Sequence, residues 1–211
     1  MADRIPETAA QLYNALGPAY EDAFGGQPAL YTTLEHLLPL LPQKAKIADI
    51  GSGTGALALT CADAGHDVTG YDVSEEMIKL SRSRVPAATF ELKDMRDLEF
   101  DEAWDAVLVF FSMLQLPRVD QDAMISRFAQ WLIPGGYLVL ATVPRDNLGK
   151  ASEWMGHWVQ TYSYPGSVLL KRIEDAGLTV VREVLVEFTP ASDQAGAEPQ
   201  IYFTAQKPHA S

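Results

Sequence analysis

Three glycines at alternate positions, Gly51, Gly53 and Gly55, follow the strand-like run Ile47-Ala48-Asp49-Ile50, and a helical pattern starts directly behind them. Glycine lets a chain turn sharply and approach a ligand with no Cβ in the way. The helix that follows points its free N–H groups and positive dipole end into the turn. Strand, glycine turn and helix in this order form a cradle for a nucleotide-containing cofactor. Asp72 closes the next strand-like run, Asp67 to Asp72. It lies roughly 20 residues beyond Gly51, at the end of a strand, where a carboxylate can accept hydrogen bonds from both hydroxyls of a ribose. A nicotinamide dinucleotide fits the same spacing if Ala56 takes the last small position, so the glycine turn alone does not choose the cofactor.

The residues further along narrow the choice. Asp94-Met95 follows the strand-like run Ala88 to Leu92, and Trp104 to Phe111 reads as a buried strand that begins with an acidic residue. Leu132-Ile133-Pro134-Gly135-Gly136 then leads into the apolar run Tyr137 to Val143. This ordered series resembles the class I S-adenosylmethionine-dependent methyltransferases, and the resemblance runs from about Tyr13 to Lys207. It implies S-adenosylmethionine as cofactor and S-adenosylhomocysteine as product. Carried over residue by residue, Gly51, Gly53 and Gly55 let the methionine part lie close to the backbone, and Asp49 orients the turn or the cofactor ammonium. Asp72 holds the ribose, as a rim carboxylate that contributes little to the core. Val73 flanks the adenine, Asp94 accepts from the adenine amino group, and the Met95 N–H meets a ring nitrogen. Phe110 and Ser112 sit near the sulfonium and the reacting methyl. Tyr20, with Tyr13 second, either touches the methionine end or simply packs the N-terminal helices.

Methyl transfer from a sulfonium is an in-line displacement on an electrophile already activated by its own charge. Holding donor and nucleophile in line and excluding water is therefore most of what a protein must do. A general base matters only for an acceptor that must lose a proton. His157 is the candidate base, in the region that covers the acceptor in similar enzymes; the alternative is an exposed loop histidine. Pro144 to Ser163 reads as a long aromatic-rich loop, hinged at Gly149, Gly156 and Gly166, with Trp158 on the acceptor side. Together with the N-terminal helices it forms a lid. No Asn-Pro-Pro-Tyr type sequence follows Phe111; Ser112-Met113-Leu114-Gln115 stands there instead, which argues against nucleobase or glutamine amide acceptors. No metal site is expected.

These residues need a frame. Strand-like and helical runs alternate from Ile47 to Val143, which implies a parallel sheet with helices on both faces. Leu178 to Phe188 and Gln200 to Gln206 are two final strands, and the connection between them is too short for a crossover helix, so they form an antiparallel hairpin. The expected fold is α/β: a three-layer Rossmann-like sandwich, a seven-stranded mostly parallel sheet with an antiparallel last strand, and extra N-terminal helices. The chain reads as a single methyltransferase domain over 1–211, with 1–44 as a helical cover, 45–143 as the cofactor-binding core, and 144–211 as the acceptor-side segment and C-terminal hairpin.

Composition sets outer bounds. Of 211 residues, 47% are hydrophobic and 21% charged, as in a soluble globular protein. No apolar run approaches the ~20 residues that span a bilayer, and Met1 to Glu7 lacks the pattern of a signal peptide. The single cysteine, Cys61, reads as a small buried hydrophobe and suits a reducing, cytoplasmic setting. A net charge of −12 disfavours nucleic acid as partner, because phosphates call for a basic face. Lys79, Arg82 and Arg84 form the densest basic group and read as a solvated helix end. The expected partners are a small-molecule acceptor and no membrane, with the chain a monomer or homodimer. Two other functions stay open on the residues: an S-adenosylmethionine-binding protein without methyl transfer (a scaffold or cyclase), and a nicotinamide-dependent oxidoreductase.

Overall fold

The computed structural model describes residues 4–209. Met1 to Asp3, which open the segment read as lacking a leader, and Ala210 and Ser211 lie outside the described residues. Three helices come first: α1 (Ala9–Leu16), α2 (Pro18–Phe24) and α3 (Pro28–Leu37). Thr8 caps α1 through a capping box, its side chain accepting from the Gln11 N–H while the Gln11 side chain accepts from the Thr8 N–H. Gly17, with φ 49°, lets α2 start at Pro18 almost at once.

The core then alternates as expected: β1 (Lys46–Ile50), α4 (Ala56–Asp63), β2 (Asp67–Asp72), α5 (Glu75–Arg84), β3 (Thr89–Leu92), β4 (Trp104–Phe110), α6 (Arg118–Trp131) and β5 (Leu132–Thr142). Strands β1 to β5 pair in parallel. The last two strands of the sheet are β8 (Thr179–Phe188) and β9 (Glu198–Gln206), reached through α7 (Gly166–Asp175). The seven-stranded sheet has the order β3-β2-β1-β4-β5-β9-β8, with β9 antiparallel to β5 and to β8. This is the expected sandwich.

Side-chain alternation divides the core between the two faces. Val107, Val109, Leu138 and Leu140 face Met124, Phe128 and Ile173 of α6 and α7. Ala106, Leu108, Val139 and Ala141 face Leu34, Leu37, Ala58 and Ile78 of α3, α4 and α5. A central strand buried on both faces reads as continuous apolar sequence for this reason. Cys61 is fully buried in the second of these layers. Among the described residues no helix is long and apolar enough to cross a membrane.

The segment read as a loop is not one. Strands β6 (Asn147–Trp154) and β7 (His157–Ser163) form a separate antiparallel hairpin, closed by Met155 and Gly156 at φ 50° and 79°. Two successive residues with positive φ match the twist of a two-residue hairpin turn. Only Gly156 advertises it, and the register shift between Leu148 and Lys150 breaks the alternation that marks a strand. The hairpin packs on the N-terminal helices: Met155 and Val159 join Leu12, Leu16, Ala23 and Phe24 in a small third core.

Candidate functional site

The cradle sits where the strand order reverses, between β1 and β4, at the carboxyl ends of the strands. The N–H groups of Gly51 and Ser52 both donate to the Tyr71 carbonyl, at 2.7 and 3.0 Å, which folds the turn back over β2. Gly51 has φ 72°, and a Cβ there would stand 2.2 Å from the Ser112 Cβ. A side chain at Gly51 would thus block the approach of the segment after β4. Gly53, at φ 52°, would place a Cβ with no heavy atom within 4 Å, so its backbone faces open space. Gly55 plays a different part: its Cβ would meet Ser81 of α5 at 2.9 Å, so it permits helix packing, and it lines none of the cavities described here.

Asp72 is 8% exposed at the end of β2. Its Oδ2 accepts from the Gly53 N–H and its Oδ1 from the Ser74 N–H, each at 2.9 Å. Burial raises its pKa, and the N–H donors of Ser74, Gly53 and Val73 pull the other way. The expectation of a rim carboxylate with little structural part is corrected: Asp72 ties the glycine turn to the start of α5. Each carboxylate oxygen keeps a further lone pair for a ligand.

One cavity brings together Gly51, Gly53, Asp72, Val73, Met95, Phe110, Ser112 and Tyr20, eight of the residues proposed from sequence. Tyr13 and Phe111 line it too. Phe111 is held at φ 56°, an unusual backbone for a bulky residue, directly at the end of β4. Asp49 lines an adjoining cavity behind the turn, with Gly51 and Gly53. It is 2% exposed, its Oδ2 has no hydrogen-bond partner among the described residues, and burial, then the charge of Asp72, pushes its pKa up to about 7. Ser52 Oγ and Ser112 Oγ are likewise buried without partners. Unpartnered polar atoms in an open glycine cradle fit a polar ligand that satisfies them, and an ammonium beside Asp49 would restore its ordinary ionisation.

Asp94 lines the outer continuation of this space with Val73, Met95 and Ser112. Arg96 occupies it: Nη2 donates to Oδ2 at 2.7 Å, while Nε and the Arg96 backbone N–H donate to Oδ1 at 3.0 and 2.9 Å. That guanidinium holds the Asp94 carboxyl below its usual pKa. An adenine amino group would share Asp94 with Arg96.

His157 is not brought to the cradle and lines none of the cavities described here. Its Nδ1 lies 2.9 Å from Oε2 of Glu7, whose N–H in turn donates to the Trp158 carbonyl. The pairing with His157 lowers the Glu7 pKa. Alternation along β7 sets Trp158 on the face opposite Trp154 and Val159, where the Arg4 guanidinium stands 5.8 Å from the centre of its ring, while His157 pairs with Trp154 at the turn end of the hairpin, beside Glu7. Trp154 and Val159 point inward instead.

A second cavity lies under α2 and the hairpin, lined by Phe24, Leu114, Val143, Trp154 and Val159 and by the polar side chains Arg145, Glu198 and Gln200. It shares Tyr13, Tyr20 and Phe111 with the cradle. Tyr13 and Tyr20 meet edge to face at 5.2 Å, and Tyr20 stacks on Phe24 at 5.3 Å. Sequence reasoning missed Glu198 and Phe111; an acidic residue opening an otherwise apolar final strand was the available signal for the first. Arg84, read as part of a solvated helix end, clasps the cover instead: it donates to Thr54 Oγ1 in the turn and to Glu21 Oε2 on α2, both at 2.8 Å.

Residues 47–136 match the family described as Methyltransferase domain. The chain is 29% identical over 143 residues to a dTDP-3-amino-3,6-dideoxy-α-D-glucopyranose N,N-dimethyltransferase of Streptomyces fradiae, across 67% of this chain and 51% of that protein. It is 31% identical over 155 residues to a ubiquinone biosynthesis O-methyltransferase of Xanthomonas axonopodis pv. citri, across 68% and 64%. The chain spans about half the length of the first of these curated relatives. Its fold matches that of a Burkholderia thailandensis 1,6-didemethyltoxoflavin-N1-methyltransferase solved with its acceptor and S-adenosylhomocysteine, at a TM-score of 0.70 and 19% identity, covering 97% and 93% of the two chains.

Proposed function

As this chain belongs to the class I S-adenosylmethionine-dependent methyltransferases, we propose that it transfers a methyl group to a small-molecule acceptor held under α2 and the β6–β7 hairpin. The observation that carries this reading is the pair of cavities meeting at Tyr13, Tyr20 and Phe111, one built as a cofactor cradle and the other lined by aromatic and aliphatic side chains interleaved with polar ones. When bound, the cofactor supplies a methyl group already activated by the positive charge on sulfur. Asp72 holds the ribose hydroxyls, Val73 and Met95 the adenine, and Asp49 the ammonium. Asp94 accepts from the adenine amino group beside Arg96.

On this reading Phe110 and Ser112 lie near the sulfonium on the cradle side of the junction, and Tyr20 stands at the junction itself. The aromatic lining of Tyr13, Tyr20, Phe24 and Phe111 keeps water from that junction, so alignment and desolvation lower the barrier. The two relatives carry names for acceptors that are small metabolites, methylated at nitrogen in one and oxygen in the other. The net charge of −12 favours such an acceptor over a polyanion.

Calorimetry with S-adenosylmethionine, S-adenosylhomocysteine and NAD tests the cofactor, and mass spectrometry of a metabolite extract incubated with labelled S-adenosylmethionine tests the transfer. Binding of NAD alone would overturn the reading. Tight S-adenosylmethionine binding with no labelled product from any extract would favour a binding protein without transfer.

A further inference from the structure

The second cavity holds a carboxylate that the reading above does not use. Glu198 opens β9, half-buried, and its Oε1 accepts from Gln200 Nε2 at 3.1 Å. Gln200 is 1% exposed, and its Oε1 accepts from the Tyr202 hydroxyl at 2.8 Å. Tyr202 is buried, packs edge to face on Phe111 at 5.8 Å, and lies 3.3 Å from Gln27 Oε1 at the start of α3. One oxygen of Glu198 is thus anchored in a relay that runs into the core. Among the described residues the other oxygen, Oε2, has no hydrogen-bond partner.

We propose that Glu198 is the acceptor-binding carboxylate, and that the acceptor is an amine whose nitrogen lies against Glu198 Oε2. The proposal rests on the methyltransferase reading. A carboxylate in a cavity walled by Phe24, Trp154, Val143 and Val159 attracts a cationic nitrogen and orients it through a charge-assisted hydrogen bond. Arg145, Tyr13, Tyr20, Tyr202 and Gln200 are the charged, titratable or hydrogen-bonding groups whose influence meets it there. Burial raises its pKa, and Gln200, then Arg145, oppose the rise. A carboxylate is too weak a base to hold a proton taken from an aliphatic ammonium, so Glu198 binds and orients the nitrogen while water carries its proton. The bound amine first releases its extra proton to water; its freed lone pair then takes the methyl carbon while the old bonding pair stays on the donor's sulfur. The positive charge passes from sulfur to the methylated nitrogen, which Glu198 continues to pair with. The chain's net charge of −12 also draws cations, rather than anions, towards it.

The test is calorimetric titration of the full chain, saturated with S-adenosylhomocysteine, with benzylamine, phenethylamine and cyclohexylamine and with the alcohols of matching shape. Wild type should bind at least one amine about tenfold tighter than its alcohol, the scale of one charge-assisted contact. Glu198→Gln should lose that preference while S-adenosylhomocysteine affinity and alcohol binding stay as they were. In wild type the preference should vanish as pH falls through the carboxylate range, an arm that needs no variant to fold. Equal binding of amines and alcohols by wild type, failure of every amine to bind, or an unchanged preference in Glu198→Gln overturns the assignment of Glu198 alone. Absence of S-adenosylhomocysteine binding in wild type overturns the methyltransferase reading and the assignment with it.

Discussion

The Gly53 N–H donates to Asp72 Oδ2 at 2.9 Å, so the carboxylate placed to hold a ribose also fixes the turn that must receive the cofactor. Ser74 holds the other oxygen. Asp72→Ala should therefore weaken S-adenosylmethionine binding by ~2–4 kcal/mol, through lost hydrogen bonds to ligand and a slackened turn. It should also lower folding stability by ~1–3 kcal/mol, the scale for leaving buried donors unpaired. Calorimetry and denaturant unfolding read the two losses separately, and an unchanged affinity in a folded variant would place the cofactor elsewhere.

Asp49 makes the ligand-free fold pH-dependent. Its pKa rises from 3.8 to about 7, with burial as the leading cause, so the folded state favours the protonated form. Stability from this group is fully present below the unfolded value and is lost as pH climbs to about 7, a slope worth up to about 4 kcal/mol. Melting curves across that range should show the slope in wild type and a flatter profile in Asp49→Asn. The same variant should bind S-adenosylmethionine more weakly. Parallel profiles for the two proteins would remove Asp49 as the cause.

Gly51→Ala should nearly abolish cofactor binding, because its Cβ would fall 2.2 Å from the Ser112 Cβ at a φ of 72°. The strained backbone alone costs on the order of 1–3 kcal/mol. Adding Ser112→Gly removes the colliding atom and leaves the strain, so the double variant should recover only part of the lost stability. Full recovery would show that the close contact alone demands glycine.

Trp154 and Trp158 sit four residues apart on the two arms of one hairpin and face opposite ways. Trp154→Ala should impair acceptor turnover and spare S-adenosylhomocysteine affinity, whereas Trp158→Ala should leave both near wild type. A steady-state comparison of the two variants checks this; the reverse outcome would put the acceptor outside the second cavity.

The cover is clasped at several points. Asn14 Oδ1 accepts from Ser74 Oγ and the Glu76 N–H, and Arg84 bridges Thr54 to Glu21. Hydrogen exchange in Leu12 to Phe24 and Ser152 to Tyr164 should nevertheless be faster than in the sheet and should slow when S-adenosylhomocysteine binds, because the small core beneath them surrounds a cavity. Arg84→Ala should speed exchange in α2 before any ligand is added. Equal rates with and without ligand would make these segments fixed walls.

Much of this protein is determined locally along the chain. The glycine turn needs positive φ at three alternate residues, Gly51, Gly53 and Gly55, Asp72 lies at the end of the next strand, and the alternation from Ile47 to Val143 admits one handed way of winding a parallel sheet. Glycine spacing, hydrophobic period and strand-end acids carry such information within a few residues of where it acts, so the cradle could be assembled before any coordinates. What only the tertiary structure decided depends on partners distant in sequence. The hairpin from Asn147 to Ser163 has polar residues on both faces and a broken register, so no period marked it; its facing separates Trp154 from Trp158, and its turn end puts His157 against Glu7. Arg84 across the cover reaches Thr54 and Glu21, 30 and 63 residues away, through a long side chain whose rotamer follows from packing rather than propensity. Glu198 joins the second cavity only because β9 runs antiparallel beside β5, which sets its first residue at the same rim as the carboxyl ends of the parallel strands.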